Sequence, residues 1–263
     1  MSTFSNSLLR QYYETHAEDE RFSTRHGSVE FLTTLRYIEK YVRPGDRIIE
    51  IGAGTGRYSH ELARRGFRVD AVELIPRNIE IFRENTKPGE SVTVSQGNAL
   101  DLSAFESEKY DLTLLLGPLY HLIGDDQKLL ALNEAKRVTK PGGLIFVAYL
   151  MNEYSILSYC FDEDRIDDLL TRGLVDSDFH LHVQPDELYD YVRLDDIDRL
   201  NRQAGLERVT IFSPDGAADY MRTRLNQMSD TTFARFIEYQ KCISERPDLI
   251  GAGSHVVDVV RCP

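Results

Sequence analysis

The run "IIEIGAGTGRYSHEL", residues 48–62, limits the fold of this chain more than any other stretch. Its apolar lead-in reads as a short buried strand, and the pattern after Gly56 reads as a helix. Gly52, Gly54 and Gly56 fill the turn between them. A strand that passes through a glycine turn into a helix opens a βαβ unit, and the helix start presents free N–H groups to polar or anionic atoms.

The same alternation continues downstream. "FRVDAVEL", "SVTVSQ", "YDLTLLLG" and "GGLIFVAYL" read as further strands, the last launched from "TKPGG". Helical patterns fall at 57–65, 77–86 and 125–139, the last with Asp125 or Asp126 as N-cap. Strands with helices between most of them make a parallel sheet covered on both faces. Right-handed crossovers then gather the loops after the strands along one edge, where open sheets bind ligands.

Two helices are expected before this core. One spans 7–20, with Leu8, Leu9, Tyr12, Tyr13 and His16 at helical spacing. The other spans 28–42, with Ser28 as N-cap, Leu32, Leu35, Ile38 and Val42 on one face, and Pro44-Gly45 as the stop. After residue 150 the alternation breaks for about forty residues. It resumes with a helix "LDDIDRLNRQAG" closed by Gly205, a strand "LERVTIF", one or two helices over 215–245, and a last strand "SHVVDVVRC". Seven strands result.

Composition narrows the function classes. With 41% hydrophobic and 28% charged residues, the 263-residue chain has an ordinary globular balance, enough for one large domain or a core with a lid. No apolar run approaches the ~18 residues of a membrane span. The first twenty residues lack a basic start and apolar stretch, so no signal peptide is expected. Cys160, Cys242 and Cys262 are far apart and form no CxxC pair, which suits a reducing cytoplasm. A net charge of −12 argues against a nucleic-acid partner, since "LARRGFR" and "MRTRL" are short and read as solvated helix faces.

Three glycine-loop chemistries compete for the turn. A phosphate-binding P-loop needs Lys and Ser/Thr after its last glycine, and here Arg57 and Tyr58 follow. The dinucleotide fingerprint G-x-G-x-x-G wants its third glycine where Arg57 stands. Glu73, however, closes the second strand 21 residues after Gly52, where a carboxylate can accept both hydroxyls of a ribose. The expected ligand has a ribose and needs no pyrophosphate.

"EIGAGTG", "VEL" after the second strand, "GNALDL" after the third, "LLLGPLYHL" after the fourth and "VTKPGG" before the fifth together resemble the class I S-adenosylmethionine-dependent methyltransferases of small-molecule type. The likeness is close over about residues 28–150. It implies a Rossmann-like, doubly wound α/β sheet of seven strands in order 3-2-1-4-5-7-6, the seventh antiparallel, with helical lid insertions. One domain over 1–263 follows, with a lid helix at 1–27, a cofactor core at 28–150, and lid segments at 151–193 and 214–250. It also implies S-adenosylmethionine as cofactor and S-adenosylhomocysteine as product.

Under that resemblance Gly52, Ala53, Gly54 and Gly56 let the amino-acid end approach the backbone. Glu50 helps hold its ammonium, and Glu73 takes the ribose hydroxyls. Asn98 and the N–H of Ala99 suit the adenine edge, although many relatives carry Asp at the Asn98 position. Leu74, Leu100 and Leu116 would sandwich the base; plain core packing is their other reading. Tyr13, Arg25 and His26 would fold over the methionine end, or else form ordinary helix surface and core.

The acceptor is less legible. Enzymes that methylate exocyclic base nitrogens resemble [DNS]-P-P-[YFW] after the fourth strand, whereas this chain has Gly117-Pro118-Leu119-Tyr120. That departure and the acidic charge favour a small molecule. His121 and Tyr120 are the candidates for chemistry, His121 as a base where the acceptor carries a proton; their other reading is a pocket wall or helix cap. His180 and His182, near Asp186 and Glu187, could chelate a metal, but nothing completes the set and no metal is expected. The acceptor atom and oligomeric state are not encoded legibly. Rival readings are an RNA or protein methyltransferase, a nicotinamide oxidoreductase and a non-catalytic sensor of S-adenosylmethionine.

Overall fold

The computed structural model describes residues 9, 12, 13 and 24–263. The helix expected over 7–20 lies mostly outside the described residues, Leu8 and His16 included; Leu9, Tyr12 and Tyr13 are helical. The elements that follow are α1 (Arg25–Tyr41), β1 (Arg47–Ile51), α2 (Arg57–Arg64), β2 (Arg68–Glu73), α3 (Pro76–Asn85), β3 (Val92–Gln96) and β4 (Tyr110–Leu115). A 3-10 turn (Pro118–His121) leads to α4 (Asp125–Val138) and β5 (Thr139–Met151). Then come α5 (Asn152–Ser155), a π-helical turn (Ile156–Phe161), α6 (Ile166–Thr171) and β6 (Tyr191–Val192). The chain closes with α7 (Leu194–Ala204), β7 (Glu207–Phe212), α8 (Arg222–Asn226), α9 (Asp230–Ile243) and β8 (His255–Arg261).

These strands form one sheet in the order β3-β2-β1-β4-β5-β8-β7, with β6 attached to β5. β8 runs antiparallel to both neighbours, and the pairs among β1 to β5 are parallel. The expected order holds once β7 and β8 are counted as its sixth and seventh strands. The correction is the extra strand β6, two residues pairing with Leu150 and Met151 inside a segment expected to be lid.

The central strands are apolar on both faces because helices cover both. Ile49, Ile51, Ile145 and Val147 pack with Leu132 and Ala135 of α4 and Ile197 of α7. Their sequence neighbours Ile48, Phe146 and Ala148, with Leu112 and Leu114 of β4, point the other way, onto Leu35 and Ile38 of α1 and Leu62 of α2. Tyr37 of α1 stacks on Phe212 of β7 with ring centroids 3.7 Å apart, which anchors α1 across the sheet. At the far edge, the buried Asp258 carboxylate accepts from Arg208 at 2.8 and 2.9 Å and from Asn201 at 2.6 Å, fixing α7 to the β7–β8 pair.

Two caps differ from expectation. Helix α1 starts three residues before Ser28, because the Thr24 hydroxyl accepts the Gly27 N–H at 3.1 Å. Helix α4 is capped by Gly124 at φ +86°, which puts Asp125 and Asp126 into the first turn, where their charge favours the helix start. No helix among the described residues is long and apolar enough to cross a membrane.

Candidate functional site

The loop after β1 is built so that backbone approaches backbone. Gly52 and Ala53 donate their N–H groups to the Val72 carbonyl at 2.8 and 3.0 Å, tying the loop to β2. Gly52 sits at φ +75°, and a Cβ there would stand 2.6 Å from Cγ of Pro118, so only glycine lets the loops after β1 and β4 touch. Gly56 serves a different purpose: a Cβ there would meet the Phe82 ring at 2.5 Å, and its absence lets α2 pack close to α3.

Two carboxylates end the neighbouring strands. Glu73 receives Gly54 N–H at 2.8 Å on one oxygen, and Ile75 N–H at 2.9 Å and the Asn78 amide at 3.2 Å on the other. Burial pushes its pKa above the usual carboxylate range, and these donors pull against that shift. Glu50 accepts the Ser59 N–H at 2.9 Å together with the Ser59 hydroxyl, at the start of α2, where an anion is favoured.

Both carboxylates face a cavity of about 490 Å³ at the C-terminal ends of β1, β2 and β4, within the range of small-ligand pockets. Gly52, Ala53 and Gly54 form its floor, Leu74, Asn98, Ala99 and Leu100 one side, and Leu116 the other. The Asn98 side-chain oxygen accepts the Leu100 N–H at 3.0 Å, which holds the turn and leaves the amide NH₂ for the cavity. Gly56 is outside the lining.

Sequence reading missed Glu30, Arg57, Tyr58 and Asn78, which also line it. Asn78 had a signal, lying in the first turn of α3, 5 residues after Glu73. Glu30 and Arg57 had none: Arg57 reaches the cleft by resting 4.2 Å from the Phe31 ring centroid on α1.

The 3-10 turn brings Tyr120 and His121 to the same cavity. His121 Nδ1 lies 3.0 Å from the Leu188 carbonyl, which can only accept, so Nδ1 carries the proton. Nε2 is then an acceptor, and the Tyr13 hydroxyl donates to it at 2.9 Å. Burial lowers the His121 pKa to about 4 and keeps this tautomer neutral, against the opposing effect of the Leu188 carbonyl. The loop carrying Leu188 is held by Asp190, whose N–H donates to the Tyr120 carbonyl at 2.8 Å and whose carboxylate takes the buried Lys128 ammonium.

A second cavity of about 510 Å³ adjoins the first, and Tyr13, Glu30 and Tyr120 line both. Its walls come from the two segments expected to be lids: Tyr154, Tyr159 and Tyr189 from one, Asp215 and Asp219 from the other. Part of that wall is the π-helical turn, a geometry common at functional sites. His26 lines this cavity, not the first, and bonds the Asp219 carboxylate. Arg25 lines neither; its guanidinium pairs with Asp230 of α9, because α8 and α9 fold over the start of α1.

His180 and His182 lie outside both cavities, with His182 2.9 Å from Asp176 and His180 3.8 Å from Asp196. Among the described residues, the grouping that brings potential metal ligands together is Asp215, Asp219 and His255. There, His255 Nδ1 sits 2.6 Å from Asp215, the spacing of a hydrogen bond between the two.

Residues 49–147 match a family described as a methyltransferase domain. A ubiquinone biosynthesis O-methyltransferase of Cereibacter sphaeroides is 31% identical over 172 residues, 65% of each chain. A ribosomal protein L11 methyltransferase of Geobacillus kaustophilus is 30% identical over 47% of this chain and 44% of its own. The chain thus spans 65% of the length of the first curated relatives it matches. Among solved structures, an S-adenosylmethionine-dependent methyltransferase of Thermotoga maritima, a possible histamine N-methyltransferase, superposes with a TM-score of 0.60. That match covers 98% of this chain and 100% of the other at 20% identity.

Proposed function

We propose that the chain is a class I S-adenosylmethionine-dependent methyltransferase and that it moves the methyl group of that cofactor to a small organic acceptor in the second cavity. The supporting observation is the junction of the two cavities at Tyr13, Glu30 and Tyr120, which puts a ligand in one beside a ligand in the other.

The first cavity suits the cofactor by its donor set. It has close glycine backbone at Gly52 and Gly54, two strand-end carboxylates, and leucines around an amide. When bound, S-adenosylmethionine supplies an electrophilic methyl carbon on a sulfonium. Glu73 takes the ribose hydroxyls with lone pairs left beside its three donors, and Glu50 holds the ammonium directly or through water. Asn98 and Ala99 meet the adenine edge, while Leu74, Leu100 and Leu116 enclose the base. Arg25 stands outside this set, and His26 belongs to the acceptor wall.

Tyr13 and Tyr120 hold the acceptor in line at the junction, and alignment supplies most of the rate. The acceptor's lone pair forms the new bond to the methyl carbon while the C–S bond breaks and its electrons stay on sulfur. Where the acceptor carries a proton, Nε2 of His121 takes it, directly or through the Tyr13 hydroxyl. Residues 28–150 act as the cofactor core, and the segments 151–193 and 214–250 close over the acceptor and exclude water.

The test is transfer from tritium-labelled S-adenosylmethionine into cell extract separated into small-molecule, RNA and protein fractions. The expected result is label in the small-molecule fraction. Label confined to RNA or protein contradicts the acceptor class. Binding of the cofactor with no transfer to any fraction favours the sensor reading instead.

A further inference from the structure

One buried ion pair clamps the 3-10 turn on both sides of His121. We infer that Lys128 of α4 and Asp190 are positioning residues, whose pair holds the His121 imidazole in the tautomer with its proton on Nδ1. Use of that tautomer in the reaction rests on the methyl-transfer reading; its existence does not. The Lys128 side chain is 1% exposed and that of Asp190 14%. The ammonium donates to the Leu122 carbonyl at 2.6 Å, one residue past His121, and to the Asp190 carboxylate. The same carboxylate oxygen takes the Gly124 N–H at 2.9 Å, and the other takes the Tyr191 N–H at 3.0 Å. The Asp190 N–H donates to the Tyr120 carbonyl at 2.8 Å, one residue before His121.

These bonds set the loop that ends at Asp190 against the turn. Leu188, two residues before Asp190, offers the carbonyl that lies 3.0 Å from His121 Nδ1. Tyr189 sets its ring centroid 5.1 Å from that of the imidazole, with 33° between the planes. β6 begins at the residue after Asp190 and pairs with Leu150 and Met151, so the sheet fixes the end of the loop while the ion pair fixes it on the turn. A carbonyl accepts and cannot donate, so its position decides which ring nitrogen carries the proton. With Nδ1 protonated, the lone pair is on Nε2, 2.9 Å from the Tyr13 hydroxyl, and Nε2 is the atom that takes the acceptor's proton in the proposed reaction.

The rival role is plain stability. Removing two charges from water offsets most of their attraction, and apolar replacement of a buried pair is often neutral or stabilising. A pair that served stability alone would leave the tautomer unchanged after such a replacement. A pair that seats the loop on the turn would not. As the Leu188 carbonyl drifts from Nδ1, the form with the proton on Nε2 gains population, and a protonated Nε2 cannot accept another proton. The Arg208–Asp258 pair supplies the comparison: its carboxylate is also buried, but it bonds Asn201 of α7, and its guanidinium bonds Asp198, so it fixes α7 and not the turn.

The experiment reads the tautomer directly, from long-range proton–nitrogen correlation spectra of the full chain labelled with nitrogen-15 histidine. At pH 7 the His121 imidazole is neutral, its pKa being about 4, and its signals are assigned by their loss in His121→Gln. In the wild type the Nδ1–H form is expected to exceed the Nε2–H form at least tenfold. Lys128→Met/Asp190→Leu should cut that ratio at least fivefold. In the same variant, transfer from tritium-labelled S-adenosylmethionine to the small-molecule fraction should slow at least tenfold, with S-adenosylhomocysteine binding retained. Arg208→Met/Asp258→Leu should keep both the ratio and the rate. An Nε2–H majority in the wild type, an unchanged ratio in the first double variant, an equal drop in the second, or a shifted ratio with undiminished transfer overturns the inference. Urea unfolding verifies that each variant is folded. Should the first fail to fold, hydrogen exchange in the wild type decides: the Asp190 and Gly124 amides should exchange at least a hundredfold more slowly than unprotected amides, and unprotected exchange overturns the inference. Failure of the wild type to bind S-adenosylhomocysteine would strike the methyl-transfer reading, while the tautomer ratio would still judge the pair.

Discussion

Replacing Gly52 with alanine measures how closely the two loops of the cleft are fitted. The position has φ +75°, where a side chain costs about 1–2 kcal/mol. The new Cβ would lie 2.6 Å from Cγ and 2.7 Å from Cδ of Pro118, well inside the 3.4 Å at which ordinary contact begins. Relieving that overlap in a packed site costs about another 1–3 kcal/mol. The sum is about 2–5 kcal/mol, and at roughly 2–4 °C per kcal/mol the melting temperature should fall by about 4–20 °C. Gly45→Ala is the control. It has φ +94° with nothing within 4 Å of the added atom, so it carries the backbone term alone, about 1–2 kcal/mol. Urea unfolding of both variants reads the difference. Moving Pro118 also narrows the first cavity, so Gly52→Ala should bind S-adenosylhomocysteine at least tenfold more weakly while Gly45→Ala binds normally. If the two variants lose the same stability, the argument from close approach at Gly52 is wrong.

Other consequences follow from the buried charges. The folded pKa of His121 is lowered to about 4 from 6.5, so the unfolded chain binds the extra proton between those values. This group's contribution to stability is therefore intact above pH 6.5 and is lost as the pH falls toward 4. It amounts to on the order of 3 kcal/mol, and His121→Gln should flatten that part of the urea-unfolding profile. Asp258→Ala leaves Arg208 and Asn201 facing an uncompensated hole and should cost about 3 kcal/mol by urea unfolding, with S-adenosylhomocysteine binding preserved. Burial lifts the Asp258 pKa even as the pair raises that of Arg208, so an apolar replacement of both residues should recover much of the loss.

The strand order and first cavity were legible because they depend on short-range patterns. Parallel strands buried on both faces read as apolar runs, and the carboxylates close β1 and β2 at fixed distances from the glycine turn. β6 was not legible because a two-residue strand has no periodicity; its pairing with Leu150 and Met151 is decided by the tertiary fold. Arg25 resembled a cofactor-facing residue in sequence, but its partner Asp230 lies 205 positions away, beyond any local pattern. The second cavity draws its walls from residues between Tyr12 and His255, so Tyr154, Tyr159, Tyr189, Asp215 and Asp219 carried no site signal until folding gathered them beside Tyr13 and Tyr120. The Tyr13–His121 hydrogen bond joins groups 108 residues apart and was hidden for the same reason.

The central claim is that the cleft at the ends of β1 and β2 holds an adenosyl ligand through Glu73 and needs no phosphate. Calorimetric titration of the wild type and Glu73→Ala with S-adenosylmethionine, S-adenosylhomocysteine and NADH tests it directly. Binding of the first two, lost in Glu73→Ala, with no heat from NADH, is the predicted result. Binding of NADH, or adenosyl binding that survives the loss of Glu73, would contradict it.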